Sequence, residues 1–351
     1  MKALMITPSV PASARLDEHP EPSPPDGAIH VEVLVVGICG TDLEIVAGDY
    51  GTAPLGNPRL ILGHESLGRV LEAPLGAAVA VGDLVVSMVR HPDPVPCVNC
   101  VTGEWDLCRN GRYTEHGIKE IHGFARERYR IDPSRVIRVD PALGILGVLT
   151  EPTSVVTKAW EVVDRIRTRG GDTEAATQRV LVTGAGPIGL LAAMIGRQRN
   201  HPVHVLDRVI DGLKPELVVA LGATYHSGPL ADIEGDFDII IECTGAGQVI
   251  IDGTTKLAPD GVLCLTGVSS GGHKIEADFG AINRSLVLEN GVIVGSVNAN
   301  RRHYEAAAQH LANADQVWLA RLITREVPIE QWADALVRQP TDVKAVLRFA
   351  K

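Results

Sequence analysis

The sequence predicts an α/β chain in two parts: a partly closed β-barrel, then a doubly wound parallel sheet. Three observations predict it. Short β-branched runs broken by Gly, Pro and Asp fill the first 150 residues, as in small barrels. After that point strand-like and helix-like segments alternate, the pattern of βαβ units. A glycine-rich turn, Gly184-Ala185-Gly186-Pro187-Ile188-Gly189, falls between one such strand and the next helix. A length of 351 residues suits two domains better than one.

Composition narrows the function. With 45% apolar and 22% charged residues the chain reads as a folded soluble protein. Its 33 basic and 43 acidic residues leave a charge of −10, which argues against nucleic-acid or membrane partners. No run approaches the ~18 apolar residues of a membrane span. The start, Met1-Lys2-Ala3-Leu4-Met5-Ile6-Thr7-Pro8, has too short an apolar run for a signal peptide. Six cysteines in a chain this long make no disulfide framework. The expected compartment is the reducing cytoplasm.

Taken in order, residues 29–36 alternate in part, His30 and Glu32 against Ile29, Val31 and Val33, as a half-exposed strand does. Residues 67–72 and 84–89 read similarly, with Gly82-Asp83 turning between strands. The stretch 91–122 reads as a long functional or metal-stapled loop. Residues 151–167 have helical apolar spacing, and the polar stretch 168–179 with Gly170-Gly171 reads as an exposed connection. Strands at 180–183, 203–206, 238–242 and 261–266 then alternate with helices at 188–198, 213–221 and 248–257. Residues 300–351 return to a mixed pattern and are expected to pack back on the first domain. After Gly271-Gly272, residues 274–277 are a candidate edge strand.

The turn at 184–189 fits G-x-G-x-x-G. Gly184 permits the tight turn, Gly186 the close pyrophosphate approach, and Gly189 the close packing of helix on strand. A diphosphate then meets free N–H groups at the helix N-terminus. Asp207 closes the next strand 18 residues after Gly189, where a carboxylate accepts from ribose hydroxyls and repels a 2′-phosphate. NAD is therefore preferred. Arg208 follows and could reach a phosphate, which keeps NADP possible.

Cys39, His64 and Glu151 offer a thiolate, an imidazole and a carboxylate, a suitable Zn²⁺ set with an open fourth position for catalysis. Singly each has a plain structural reading, and spacing alone does not unite them. Cys97, Cys100 and Cys108 crowd into twelve residues, which points to metal binding. Cys243 and Cys264 lie on apolar β runs and read as core.

Together, the segments Gly37–Asp42, Gly63-His64-Glu65, Val81-Gly82-Asp83, the cysteine cluster, Gly184–Gly189 and Glu242-Cys243-Thr244-Gly245 resemble the zinc-dependent medium-chain dehydrogenase/reductase superfamily. The chain is most similar to its glucose 1-dehydrogenase branch. That likeness rests on Cys39, His64, Glu151-Pro152, Glu115-His116-Gly117-Ile118, His122-Gly123-Phe124 and Gly295-Ser296-Val297-Asn298.

The resemblance implies a GroES-like catalytic domain over 1–155, a Rossmann domain over 156–298, and a segment 299–351 returning to the first. It implies catalytic Zn²⁺ on Cys39, His64 and Glu151, with Glu65 as a carboxylate behind these ligands or an exchangeable ligand, and Thr41 as a proton relay. Glu115, Glu151 and Asn298 would hold sugar hydroxyls. Thr244, Gly245, Gly267, Val268, Ser296, Val297 and Asn298 would join the glycine turn around the cofactor. A structural Zn²⁺ would sit on Cys97, Cys100 and Cys108. The cysteine expected three positions before Cys97 falls on Pro94, which makes neighbouring Asp93 the candidate fourth ligand.

The implied reaction moves hydride from C1 of a glucose-like aldose to NAD(P)⁺ and yields the aldonolactone. Val155 departs from members with a carboxylate there, so a polyol or secondary-alcohol dehydrogenase is the alternative. A homo-oligomer, dimer or tetramer, is also implied.

Overall fold

The computed structural model describes residues 1–170, 177–269 and 274–349. The chain divides into two units, Met1–Ser154 with Asn298–Lys351, and Val155–Val297. Each crossing falls one residue before the boundary expected from sequence. Gly171, Gly271 and Gly272 lie outside the described residues.

The first unit opens with β1 (Lys2–Ile6), β2 (Arg15–Glu18) and the long β3 (Ile29–Ile38), which runs into α1 (Gly40–Ala47). Next come β4 (Leu60–Ile61), β5 (Glu65–Glu72) and β6 (Leu84–Ser87). The stretch expected as a loop holds β7 (Arg90–His91), α2 (Val98–Val101), β8 (Thr114–His116) and β9 (Glu120–Ile121). Strands of two or three residues are too short for apolar alternation to reveal. Then β10 (Arg128–Ile131) and β11 (Val136–Arg138) lead to α3 (Thr150–Arg167), which spans the first crossing.

The second unit alternates β12 (Val180–Thr183), α4 (Pro187–Gln198), β13 (Val203–Leu206), α5 (Leu213–Ala220), β14 (Thr224–His226), β15 (Phe237–Glu242), α6 (Gly247–Thr254), β16 (Leu257–Leu265), α7 (Phe279–Glu289) and β17 (Val292–Gly295). The first unit then resumes with α8 (Arg301–Ala312), α9 (Gln316–Ala320), β18 (Ile323–Pro328), α10 (Trp332–Ala335) and β19 (Lys344–Arg348).

In the first unit the main sheet runs β11-β6-β5-β3-β19-β18, with β10 also on β3. Small sheets β2-β1-β4 and β7-β8-β9 complete it. Apolar faces of β1, β3, β4, β5 and β10 meet in one core around Phe124 and Tyr129. Along β3 burial alternates to residue 34, then residues 35–38 are buried throughout, so the strand delivers Cys39 from a fully covered interior.

The second unit is an all-parallel sheet ordered β14-β13-β12-β15-β16-β17. Numbered from its own first strand this is 3-2-1-4-5-6, the Rossmann order, which switches direction between β12 and β15. β16 starts at Leu257, inside the segment expected to be helical. Asp260 takes a φ of +62° there and the register with β15 shifts, so a bulge splits the strand and hides its first half from pattern reading. Residues 274–277 form no strand; the edges are β14 and β17. Among the described residues no helix is long and apolar enough to cross a membrane.

Candidate functional site

Cys39 is the extended N-cap of α1, its N–H donating to Asp42 Oδ2 at 2.9 Å. His64 stands just before β5, and Gly117 packs against its neighbour: a Cβ on Gly117 would lie 2.5 Å from the Gly63 carbonyl oxygen. Only glycine permits that approach, which fixes the turn presenting His64. Cys39 Sγ and His64 Nε2 are 3.0 Å apart. The other ring nitrogen, Nδ1, lies 3.4 Å from Asp42 Oδ1, the carboxylate-behind-histidine arrangement that orients a metal-binding imidazole. Ligand atoms of Cys39, His64 and Glu65 all lie within 4.8 Å of one another. Glu151 is not in that set; it is buried on the first turn of α3. Thr41 is half-buried on the first turn of α1.

Acidic groups crowd this pocket, where Asp42, Glu65 and Glu151 are all buried. Burial opposes a charged imidazole, yet Cys39 and Asp42 outweigh it and hold His64 well above the usual histidine pKa. Burial raises the Glu151 carboxyl to about 8; Glu65 adds to this and His64 opposes it. A cluster that draws protons in this way favours a cation, and sulfur, nitrogen and oxygen donors together suit Zn²⁺.

Lys344, on β19, was invisible to sequence reasoning. Its Nζ donates to Glu65 Oε1 at 2.7 Å, to Oε2 at 2.6 Å and to the Ile38 carbonyl at 3.2 Å, all buried. Replacing Lys344 with Met strands the Glu65 charge, and breaking a buried pair this way costs about 3–5 kcal/mol. Urea denaturation should show the midpoint falling accordingly; an unchanged midpoint would show that Glu65 does not depend on the lysine.

Glu115, on β8, accepts from Asn298 Nδ2 at 2.7 Å, while Asn298 Oδ1 accepts from the Ala299 N–H at 2.7 Å. Asn298 therefore orients Glu115, with one N–H left for a ligand. His116 turns inward: Nδ1 lies 2.6 Å from the His122 carbonyl oxygen and Nε2 lies 2.9 Å from His91 Nε2.

Cys97, Cys100 and Cys108 form a second compact set within 4.8 Å. Amides of Arg109 and Cys100 lower the Cys97 thiol to about 6, while burial and the neighbouring thiols raise Cys100 to about 11. Three thiols around one point fit a soft or borderline cation such as Zn²⁺. Asp93 is outside the set; its Oδ1 accepts the Val95 N–H at 2.8 Å and Oδ2 faces Arg112 Nε at 3.4 Å.

In the second unit, Gly184 follows β12 with φ +91° and Gly186 caps α4. The Ala185 N–H donates to Asp207 Oδ2 at 2.7 Å, and the Val209 N–H to Oδ1 at 3.0 Å. Lys214 Nζ lies 3.4 Å from the same Oδ2, and Arg208 is exposed. Beside this loop, Glu242 is fully buried and accepts from the Thr183 hydroxyl, from the Thr244 N–H and hydroxyl, and from the Gly245 N–H. Glu242 thus shapes Thr244-Gly245, a role not read from sequence; an acid closing an apolar strand, as Asp207 does, was the signal. Gly267 lies against Gly245, Val268 and Val297 are exposed, and Ser296 is buried.

Two family profiles match: "Glucose dehydrogenase C-terminus" over residues 144–349 and "Alcohol dehydrogenase GroES-like domain" over 25–141. Glucose 1-dehydrogenase 2 of Vulcanisaeta moutnovskia is 41% identical over 99% of both chains. Glucose 1-dehydrogenase of Thermoproteus tenax is 42% identical over the same share. Among solved structures, Haloferax mediterranei glucose dehydrogenase in complex with NADP, Zn and gluconolactone matches with a TM-score of 0.91, at 31% identity over 100% of both chains.

Proposed function

From the premise that the chain belongs to the glucose dehydrogenase family of zinc-dependent medium-chain dehydrogenases, we propose that it oxidises glucose, or a closely related aldose, to the lactone. The observation that carries this is the compact Cys39–His64–Glu65 set, its histidine and glutamate buried, with Glu151 close enough to feel its charge. The Haloferax structure, a complex with NADP, Zn and gluconolactone, supports the same chemistry.

Cys39 and His64 would hold the zinc, with Glu65 and Glu151 as the carboxylates at hand. When bound, zinc supplies Lewis acidity that lowers the pKa of an anomeric hydroxyl, and the nicotinamide accepts the hydride from C1. Asp42 keeps the His64 ring aligned. Thr41 takes the hydroxyl proton and passes it towards solvent. Glu115, oriented by Asn298, accepts a hydrogen bond from another sugar hydroxyl.

In the cofactor site Asp207 meets the ribose hydroxyls of NAD, the preferred cofactor. Lys214 and Arg208 supply the positive charge that lets NADP bind as well. The thiol lobe takes a structural zinc on Cys97, Cys100 and Cys108, with Asp93, whose Oδ2 is buried without a hydrogen-bond donor, as the candidate fourth ligand. Edge strand β17 leaves alternate residues exposed, and we assign it to pairing with a second copy in a dimer or tetramer. Free cysteines throughout the chain suit the cytoplasm.

The test is a substrate panel followed by NADH and NADPH absorbance. Glucose and related aldoses should be turned over faster than sorbitol, xylitol or 2-propanol. Val155, where some relatives carry a carboxylate, favours the second reading of a polyol or secondary-alcohol dehydrogenase. Polyols outrunning aldoses would establish that reading instead.

A further inference from the structure

The two oxygens of Glu115 are used unequally. Oε1 accepts three hydrogen bonds: from Arg90 Nε at 3.1 Å, from Arg90 Nη2 at 3.0 Å and from Asn298 Nδ2 at 2.7 Å. Oε2 accepts none among the described residues. An arginine fork facing a carboxylate commonly gives one N–H to each oxygen. Here both converge on one.

Arg90 is held in place by packing and by a bond from each of its three nitrogens. It is buried at 5% exposure, Nη1 donates to the Asp106 carbonyl at 3.0 Å, and its guanidinium lies 3.7 Å above the Tyr113 ring. Asp106 is anchored in turn by Asn300 Nδ2, which donates to Oδ1 at 2.9 Å. A stacked guanidinium with all three nitrogens engaged loses little entropy in holding this geometry, and its charge offsets that of the buried carboxylate. The outcome is an acceptor with one oxygen saturated and the other kept for a ligand that can donate. A polyhydroxylated substrate can; a simple alcohol engaged only at its reacting hydroxyl has nothing to offer it.

We infer that Arg90 is the positioning residue of sugar recognition, saturating Glu115 Oε1 so that Oε2 is presented to a hydroxyl other than the one oxidised. The inference rests on the reading of Glu115 as a sugar contact.

A double-mutant cycle tests both separately, using the intact enzyme with glucose and the cofactor saturating. Arg90→Lys keeps the charge but cannot place two N–H groups on one oxygen. It should raise KM for glucose about tenfold or more, the worth of a charged hydrogen bond, with kcat changed less than about threefold. Glu115→Gln should raise KM similarly, and adding Arg90→Lys to it should change little more. Nucleotide affinity and zinc content should match the parent throughout.

Unchanged KM in Arg90→Lys, or effects that multiply in the double variant, would overturn the role of Arg90. Unchanged KM in Glu115→Gln alone would instead remove Glu115 from the sugar site. Arg90→Gln runs in parallel against a folding defect. Loss of folding in both Arg90 variants would mark a structural residue and end the proposal.

Discussion

Cys39→Ala abolishes glucose oxidation while leaving nucleotide binding intact: this is the largest effect expected. The thiolate is one of the ligand atoms gathered within 4.8 Å beside His64 and Glu65. Losing it removes Lewis-acid stabilisation worth several kcal/mol, which is at least about a thousandfold in kcat/KM. The glycine turn and Asp207 belong to the other unit, so titration with NAD⁺ should give the parental Kd. Zinc analysis should show one ion fewer per chain, because Cys97, Cys100 and Cys108 are untouched. His64→Ala should behave alike. Turnover within about tenfold of the parent, or a lost zinc with activity retained, would exclude this pocket as the reaction centre.

Gly189→Ala is expected to produce the mirror result. A Cβ there would stand 1.7 Å from the Gly184 carbonyl oxygen and 2.9 Å from its carbon. Both are backbone atoms of the phosphate-binding turn, so no side chain can swing aside. Either α4 retreats from β12 or the turn unfolds, and overpacking of this kind costs about 1–3 kcal/mol or more. The amides that would meet a diphosphate move with it. Fluorescence titration should show Kd for the nucleotide raised at least about tenfold, a loss of roughly 1.4 kcal/mol, with zinc content unchanged. A variant that binds NAD⁺ like the parent would mean the close packing at 189 is dispensable.

Both features are signalled in the sequence. The glycine turn carries its own context, since strand, turn, helix and a following acid lie within one short stretch. The metal ligands were not legible from spacing. Cys39 and His64 stand 25 residues apart, and only the resemblance of whole segments joined them. Glu65 was expected behind Glu151, yet it is Glu65 that shares the compact set.

What stayed hidden were charged residues whose partners are remote. Lys344 and Glu65 are separated by 279 positions, and a single lysine at the start of an apolar strand reads as an exposed edge. Arg90 is, in the sequence, one charge beside a proline-rich loop. Its meaning comes from two N–H groups meeting one oxygen, a fact of geometry that no pattern encodes. Strand β16 was cut short for a third reason, the bulge at Asp260 that interrupts its register.

The pairing of β3 also bears on how the protein is made. On one side β3 pairs with β5, which follows soon after it; on the other its first half pairs with β10 and its second half with β19. Between β3 and β19 the sequence inserts the whole of Val155–Val297. During synthesis the insert emerges as a continuous stretch and can complete its sheet unaided. The catalytic half must wait, with the flank of Val35–Ile38 uncovered, until the insert has been translated. Such non-local closure is slow, and an open strand edge invites association with other chains. Nascent chains are therefore most exposed to misassembly through the part that carries the zinc ligands, and chaperone protection would matter most in that interval.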